Sequence, residues 1–133
     1  MNYLLDTHTF IWTILESDRL SLNSEQVISD RNNEINISTV SFWEISLKVR
    51  LKKFVLEGID IKTFPRLAVE IGFNILPLGS EDAITYNYLG LKRNHKDPFD
   101  RMLIWQAIKG NLIMISKDKM FEQYKKDGLR LIW

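Results

Sequence analysis

The sequence predicts an α/β protein: a three-layer α/β/α sandwich around a central, mostly parallel sheet of about five strands. Three observations predict it. Five short runs rich in Ile, Leu or Val are bounded by turn residues, as strands buried on both faces are. Helical patterns separate those runs, and that alternation implies a parallel sheet covered on both sides, with right-handed crossovers. Across 133 residues there is no internal repeat, low-complexity tract or Pro/Gly/Ser linker, so one domain is expected over 1–133.

In chain order, Tyr3 to Leu5 is an apolar run ending at Asp6, the first strand. Thr9 to Leu15 and Ser24 to Asp30 are helical patterns. Asn36 to Thr39, led by Ile35, carries β-branched residues after the polar stretch Arg31 to Glu34 and reads as the second strand. Ser41 to Leu51 sets Phe42, Ile45 and Val49 on one stripe, with Ser46 at its edge, which predicts an amphipathic helix. Ile61 to Ile71 is a further helix, and two helices between consecutive strands suggest a helical hairpin or insertion on one side. Phe73 to Leu78, around Pro77, is the third strand, and Ser80 to Leu91 the next helix. Asp97 to Lys109 opens on Asp-Pro, a cap followed by proline at the first helical position. Gly110-Asn111 stops that helix, and Leu112 to Ser116 is the fourth strand. Lys117 to Lys126 is the last helix, and Leu129 to Ile132, after Asp127-Gly128, the last strand.

Composition narrows the function. Lys and Arg total 18 against 17 Asp and Glu, so the net charge of +1 argues against a histone-like polybasic binder. No cysteine is present, which excludes a disulfide-stapled fold and leaves only His8 and His95 for a zinc site. Met1 to Trp12 has no basic start and no small-residue cleavage site, and no apolar run approaches the ~18 residues of a membrane span. A soluble, cytoplasmic protein away from any membrane is the expectation.

The acids carry the chemistry. Asp6 ends the first strand, Glu44 falls in the first turn of the helix after the second, Asp97 and Asp100 open another helix, and Asp118 follows the fourth strand. Ligands of open parallel sheets bind beyond the carboxyl ends of the strands, so acids from four segments are expected to converge there. Converging carboxylates resist ionising unless a cation neutralises them, and hard divalent ions take oxygen ligands. Such a centre suits phosphodiester hydrolysis. Each acid also has a local reading. Glu44 stands at capping-box spacing from Ser41, Asp97 before Pro98 is a good N-cap, and Asp100 at the third helical position favours the helix dipole. Asp6 and Asp118 are each placed to cap the next helical segment.

Four stretches resemble a known family: Leu4-Leu5-Asp6-Thr7-His8, Ser38-Thr39-Val40-Ser41-Phe42-Trp43-Glu44-Ile45, His95-Lys96-Asp97-Pro98-Phe99-Asp100-Arg101, and Ile115-Ser116-Lys117-Asp118 leading to Phe121. Their order and spacing span nearly the whole chain and are similar to the PIN-domain ribonucleases, within them to toxins of the VapC type. The Ser-Phe-Trp-Glu-Ile and Asp-Pro-Phe-Asp-Arg segments are the more specific ones. The resemblance implies a PIN-like sandwich, endoribonuclease activity with Mg²⁺ or Mn²⁺, and a cognate antitoxin. Asp6, Glu44, Asp100 and Asp118 match the acidic quartet, catalytic and metal-binding, and Asp97 matches an extra acid. The chain departs from this branch at Lys52, where Gly is frequent.

On that basis Asp6 and Asp100 are expected to hold the principal ion, with Glu44 and Asp118 positioning water or completing a second ion site. Thr7 and Ser116 are candidate supporting groups. Lys48, Arg50, Lys96 and Arg101 are candidates for holding RNA phosphates, each with a solvated helical face as the alternative, and Arg101 with Asp97 as an alternative partner. Trp12, Trp43 and Trp105 read as core or interface before base stacking. The apolar surface of the early helices suits a homodimer or an antitoxin helix. The rivals are an inactive PIN-fold module that binds RNA or protein, a Mg-dependent phosphatase, and a receiver-like domain. The last two want a second acid near Asp6, where the chain has His8.

Overall fold

A computed structural model describes the whole chain, Met1–Trp133. Five strands form one parallel sheet: β1 (Asn2–Leu5), β2 (Glu34–Ser38), β3 (Asn74–Leu76), β4 (Ile113–Ile115) and β5 (Arg130–Ile132), in the order β3-β2-β1-β4-β5. Six α-helices connect them: α1 (Thr7–Leu15), α2 (Leu22–Ser29), α3 (Thr39–Arg50), α4 (Phe64–Glu70), α5 (Ser80–Thr85) and α6 (Pro98–Lys109). The expected α/β/α sandwich is present. No helix is long and apolar enough to cross a membrane.

Alternation along the strands divides the core. Tyr3, Leu5, Ile35, Ile37, Ile113 and Ile115 point to one face, where Phe10, Ile45 and Phe64 cover them. Leu4 and Met114 point to the other, under Leu103, Ile104 and Phe121. The chain reverses direction in the sheet between β3, beyond β2, and β4, on the far side of β1. The carboxyl ends of β1, β2 and β4 therefore share one crevice, the usual ligand position in open parallel sheets.

Several boundaries differ from expectation. The second strand stops at Ser38, and Thr39 already belongs to α3, because the Ser38 hydroxyl accepts from Val40 N and caps the helix. Glu44 is consequently in the second turn of α3, not the first. The capping-box reading with Ser41 fails; Ser41 is buried inside the helix and accepts from the Thr7 hydroxyl at 3.0 Å. The third strand is shorter than predicted. The segment Lys119–Asp127 is a 3₁₀-helix rather than an α-helix, and Ser80–Leu91 is broken into α5 and a 3₁₀ turn over Tyr86–Tyr88. Helix α3 ends in a Schellman motif, with Lys53 N bonded to Lys48 O and Lys52 N to Val49 O. Lys52 takes the left-handed position at φ 58°, a conformation that glycine adopts without a steric cost.

A candidate metal centre at the carboxyl ends of the strands

The crevice is a cleft of about 300 Å³ lined by Asp6, Glu44, Asp100 and Asp118, together with Lys48 and Lys117. All four acids of the expected quartet thus line one cavity, and each arrives by its own local logic. Asp6 leaves β1 and caps α1, its Oδ1 accepting from Thr9 N at 2.8 Å. Its other oxygen accepts from the Ser116 hydroxyl. Ser116 ends the run from β4 and also accepts from Asp118 N at 3.1 Å, so one hydroxyl ties the first acid to the last. Asp118 caps the 3₁₀-helix through Met120 N and is exposed. Asp97 accepts from Phe99 N and Asp100 N, the N-cap its Asp-Pro pair predicts, and it sets Asp100 at the third helical position.

Two groupings could hold a cation. Carboxylate oxygens of Glu44, Asp97 and Asp100 lie within 4.8 Å of one another, as do ligand atoms of His95, Asp100 and Asp118. Asp100 belongs to both and is the centre of the site; Asp6 lines the cleft but stands outside both groupings. Electrostatics agree. Burial pushes the Asp100 carboxyl up to about 8, and the charges of Asp97, Glu44, Asp6 and Asp118 push the same way. Burial also raises the Asp6 carboxyl, against its hydrogen bonds from Ser116 and Thr9. Glu44 is 2% exposed; its Oε2 is ion-paired to Lys48, while its Oε1 is buried with no partner. A buried carboxylate oxygen left over, beside carboxyls that resist ionising, is what a hard divalent cation would satisfy. The oxygen-rich donor set fits such a cation.

The remaining expected residues divide. Burial works against the Lys48 ammonium, but the bond and charge of Glu44, with Asp97 and Asp100 behind it, hold its pKa above the usual lysine value. Arg50 and Lys96 are exposed on the surface or at its edge. Thr7 supports the site through Ser41 and not through an acid. Arg101 is a correction. It is 3% exposed, and its guanidinium donates to Tyr86 Oη, Tyr124 Oη and the carbonyls of Leu89 and Gly90, so it is committed to the protein's interior and Asp97 is not its partner. Trp43 is exposed, its ring edge-on to Phe99. For two residues of the site no role at the acids is expected from the sequence: Lys117, which lines the cleft, and His95, buried, with Nε2 3.1 Å from Asp100 Oδ2. The place of His95 five residues before Asp100 was the available signal.

Residues 3–127 match the sequence model of the PIN domain. The chain is 21% identical over 131 residues to ribonuclease VapC22 of Mycobacterium tuberculosis (strain ATCC 25618 / H37Rv), covering 98% of this chain and 97% of that one. Its fold is similar to VapBC2 from Rickettsia felis bound to a promoter DNA fragment, at TM-score 0.69 and 20% identity over 99% of this chain and 98% of that one. It is similar as well to VapBC-1 from nontypeable Haemophilus influenzae, at TM-score 0.67 and 20% identity over 99% and 97% of the two chains.

Proposed function

Since the chain belongs to the PIN domain family, we propose that it is a divalent-metal-dependent endoribonuclease and the toxin of a toxin–antitoxin pair. The observation that carries this reading is the gathering of Asp6, Glu44, Asp100 and Asp118 around one cleft, with Glu44 Oε1 buried and unpartnered. The similarity to ribonuclease VapC22 supports RNA as the substrate.

Asp100, Glu44 and Asp118 are the residues that would hold Mg²⁺ or Mn²⁺, with Asp97 beside them and Asp6 directly or through water. When bound, the ion supplies positive charge to the phosphoryl oxygens and makes an attacking water more acidic. The chain's own part is placement. Ser116 fixes Asp6 and Asp118 relative to each other. Lys48 and Lys117 set positive charge within the cleft, so a phosphate backbone is drawn to an otherwise acidic centre, and the exposed Arg50 and Lys96 are proposed as further phosphate contacts. Water adds to phosphorus and one ester P–O bond breaks, giving a phosphate monoester and a hydroxyl. The proton leaving the water passes to the carboxylates of the cleft as a coupled set, and a proton from that set or from solvent is delivered to the leaving oxygen to complete its hydroxyl.

A partner surface adjoins the site. A groove of about 590 Å³ beside α1 is lined by Ile11, Trp12, Leu15, Phe54, Val55 and Leu56 together with the charged Glu16, Arg19, Lys53 and Glu57, and it meets the cleft at His8 and Trp12. An amphipathic antitoxin segment laid there would occlude the cleft mouth; the VapBC assemblies of similar fold support such a partner. A homodimer is proposed as well, and sedimentation of the isolated chain tests it.

The experiment is cleavage of mixed RNA under Mg²⁺ titration, with Asp6→Asn alongside. The wild type should cleave in proportion to bound metal, and the folded variant should not. Full activity in Asp6→Asn would refute the assignment, and no cleavage by the wild type at any Mg²⁺ or Mn²⁺ concentration would favour the inactive binding module.

A further inference from the structure

Behind the cleft, a buried chain of hydrogen bonds runs from Arg101 to Asp100. Arg101 Nη1 is 2.9 Å from Tyr124 Oη, Tyr124 Oη is 2.8 Å from His95 Nδ1, and His95 Nε2 is 3.1 Å from Asp100 Oδ2. Tyr124 is fully buried, and His95 and Arg101 nearly so. The direction of each bond follows from its members. A guanidinium only donates, so Tyr124 Oη accepts from Arg101. The Tyr124 hydroxyl proton then has one acceptor within reach, His95 Nδ1, and any other arrangement strands it in the core. Nδ1 therefore carries no proton, the proton is on Nε2, and the ring is neutral. Nε2–H donates to Asp100 Oδ2. The rings of Phe121 and Tyr124, at centroid distances of 5.8 and 5.5 Å, keep the imidazole from turning.

We propose that His95 and Tyr124 are positioning residues: the relay Arg101–Tyr124–His95 grips Asp100 by one oxygen, leaves the rest of that carboxylate to the cleft, and makes His95 a donor to Asp100 rather than a ligand of the ion. The proposal rests on the reading of the cleft as a metal-dependent nuclease site. Asp100 needs such a grip because it is the acid shared by both cation groupings and faces the repulsion of its neighbours. Partners that orient a ligating carboxylate typically change metal affinity or activity about 10-fold or more when removed.

Long-range ¹H–¹⁵N spectra of the histidine rings read the tautomer directly, and with His8 the only other histidine, His95→Gln assigns the signal. His95 should show the Nε2–H form at neutral pH, with and without Mg²⁺. By titration calorimetry, His95→Ala should weaken Mg²⁺ binding about 10-fold. His95→Gln, whose amide nitrogen can donate in place of Nε2, should restore most of it. Tyr124→Phe, which deletes only the hydroxyl, should weaken binding less and let His95 populate the Nδ1–H form, a change that a purely structural role would not produce. An Nδ1–H tautomer in the wild type, loss of the Nε2 proton on adding Mg²⁺, or wild-type affinity in His95→Ala would each overturn the proposal. A wild type that binds no divalent cation overturns the nuclease reading instead, and the tautomer still decides the relay.

Discussion

Lys48 is ion-paired to Glu44 one helical turn before it, inside the cleft, with 21% of the Lys48 side chain exposed against 2% of Glu44. The lysine satisfies one oxygen of a buried carboxylate and sets a positive charge against Asp97 and Asp100. It stabilises the metal-free chain and competes with any cation that enters. Lys48→Met should therefore cost about 2 kcal/mol of metal-free stability, the scale of losing a hydrogen bond to a charged group. The same variant should bind Mg²⁺ more tightly by a few-fold, about 1 kcal/mol of relieved repulsion. Urea unfolding and calorimetry measure the two. Weaker Mg²⁺ binding in Lys48→Met would show that the ammonium does not oppose the ion.

Asp100 gives the metal-free protein an unusual pH dependence. Its carboxyl is raised from 3.8 to about 8 in the folded chain, chiefly by burial. Below the unfolded value both states are protonated, and the contribution to stability is fully present. As pH rises toward the folded value, the unfolded chain releases a proton that the folded chain retains, and the contribution is lost. Metal-free stability should thus decline between about pH 4 and about pH 8. Mg²⁺ should flatten the decline, because it favours the ionised carboxyl. Denaturation midpoints at several pH values, with Mg²⁺ or with chelator, check this; a Mg²⁺ gain no larger at pH 8 than at pH 5 would contradict it.

Lys52 pays a backbone cost at φ 58° that glycine does not. Lys52→Gly should stabilise the chain by about 1 kcal/mol. The position follows α3 and leaves the acids untouched, so cleavage should not change. A thermal or urea unfolding curve is sufficient, and a destabilised variant would mean that the lysine makes contacts worth more than its strain.

Arg101 is a clamp on the chain before α6. Replacing it with Met strands the buried Leu89 carbonyl and Tyr124 hydroxyl, frees the half-buried Gly90 carbonyl and Tyr86 hydroxyl, and should cost about 3 kcal/mol. By contrast, Arg50→Ala and Lys96→Ala should leave stability alone and reduce the salt dependence of RNA binding. Binding isotherms at two salt concentrations separate the two kinds of cation. Loss of salt dependence without loss of stability in Arg101→Met would restore it as an RNA contact.

The parts of the fold readable from sequence were those set by short-range rules. Apolar runs between turn residues located all five strands, and Asp97-Pro98 located the start of α6. The gathering of Asp6, Glu44, Asp100 and Asp118 was readable because each stands just after a strand or near a helix start, places that a parallel sheet collects at one end. What depended on tertiary partners was not. Thr39 has strand chemistry, yet the Ser38 cap draws it into α3. Arg101 is next to Asp100 in sequence but turned about 100° around the helix, away from the cleft and toward Tyr124. His95 and Tyr124 are 29 residues apart, and only the packing of the segment before α6 against the 3₁₀-helix brings them together.

Asp100→Asn tests the central claim most directly, in a single titration of RNA cleavage and Mg²⁺ binding against the wild type. The claim requires that this folded variant bind Mg²⁺ far more weakly and leave RNA intact, while the wild type cleaves and stops on addition of a chelator. Undiminished cleavage by Asp100→Asn, or wild-type cleavage indifferent to chelator, would contradict it.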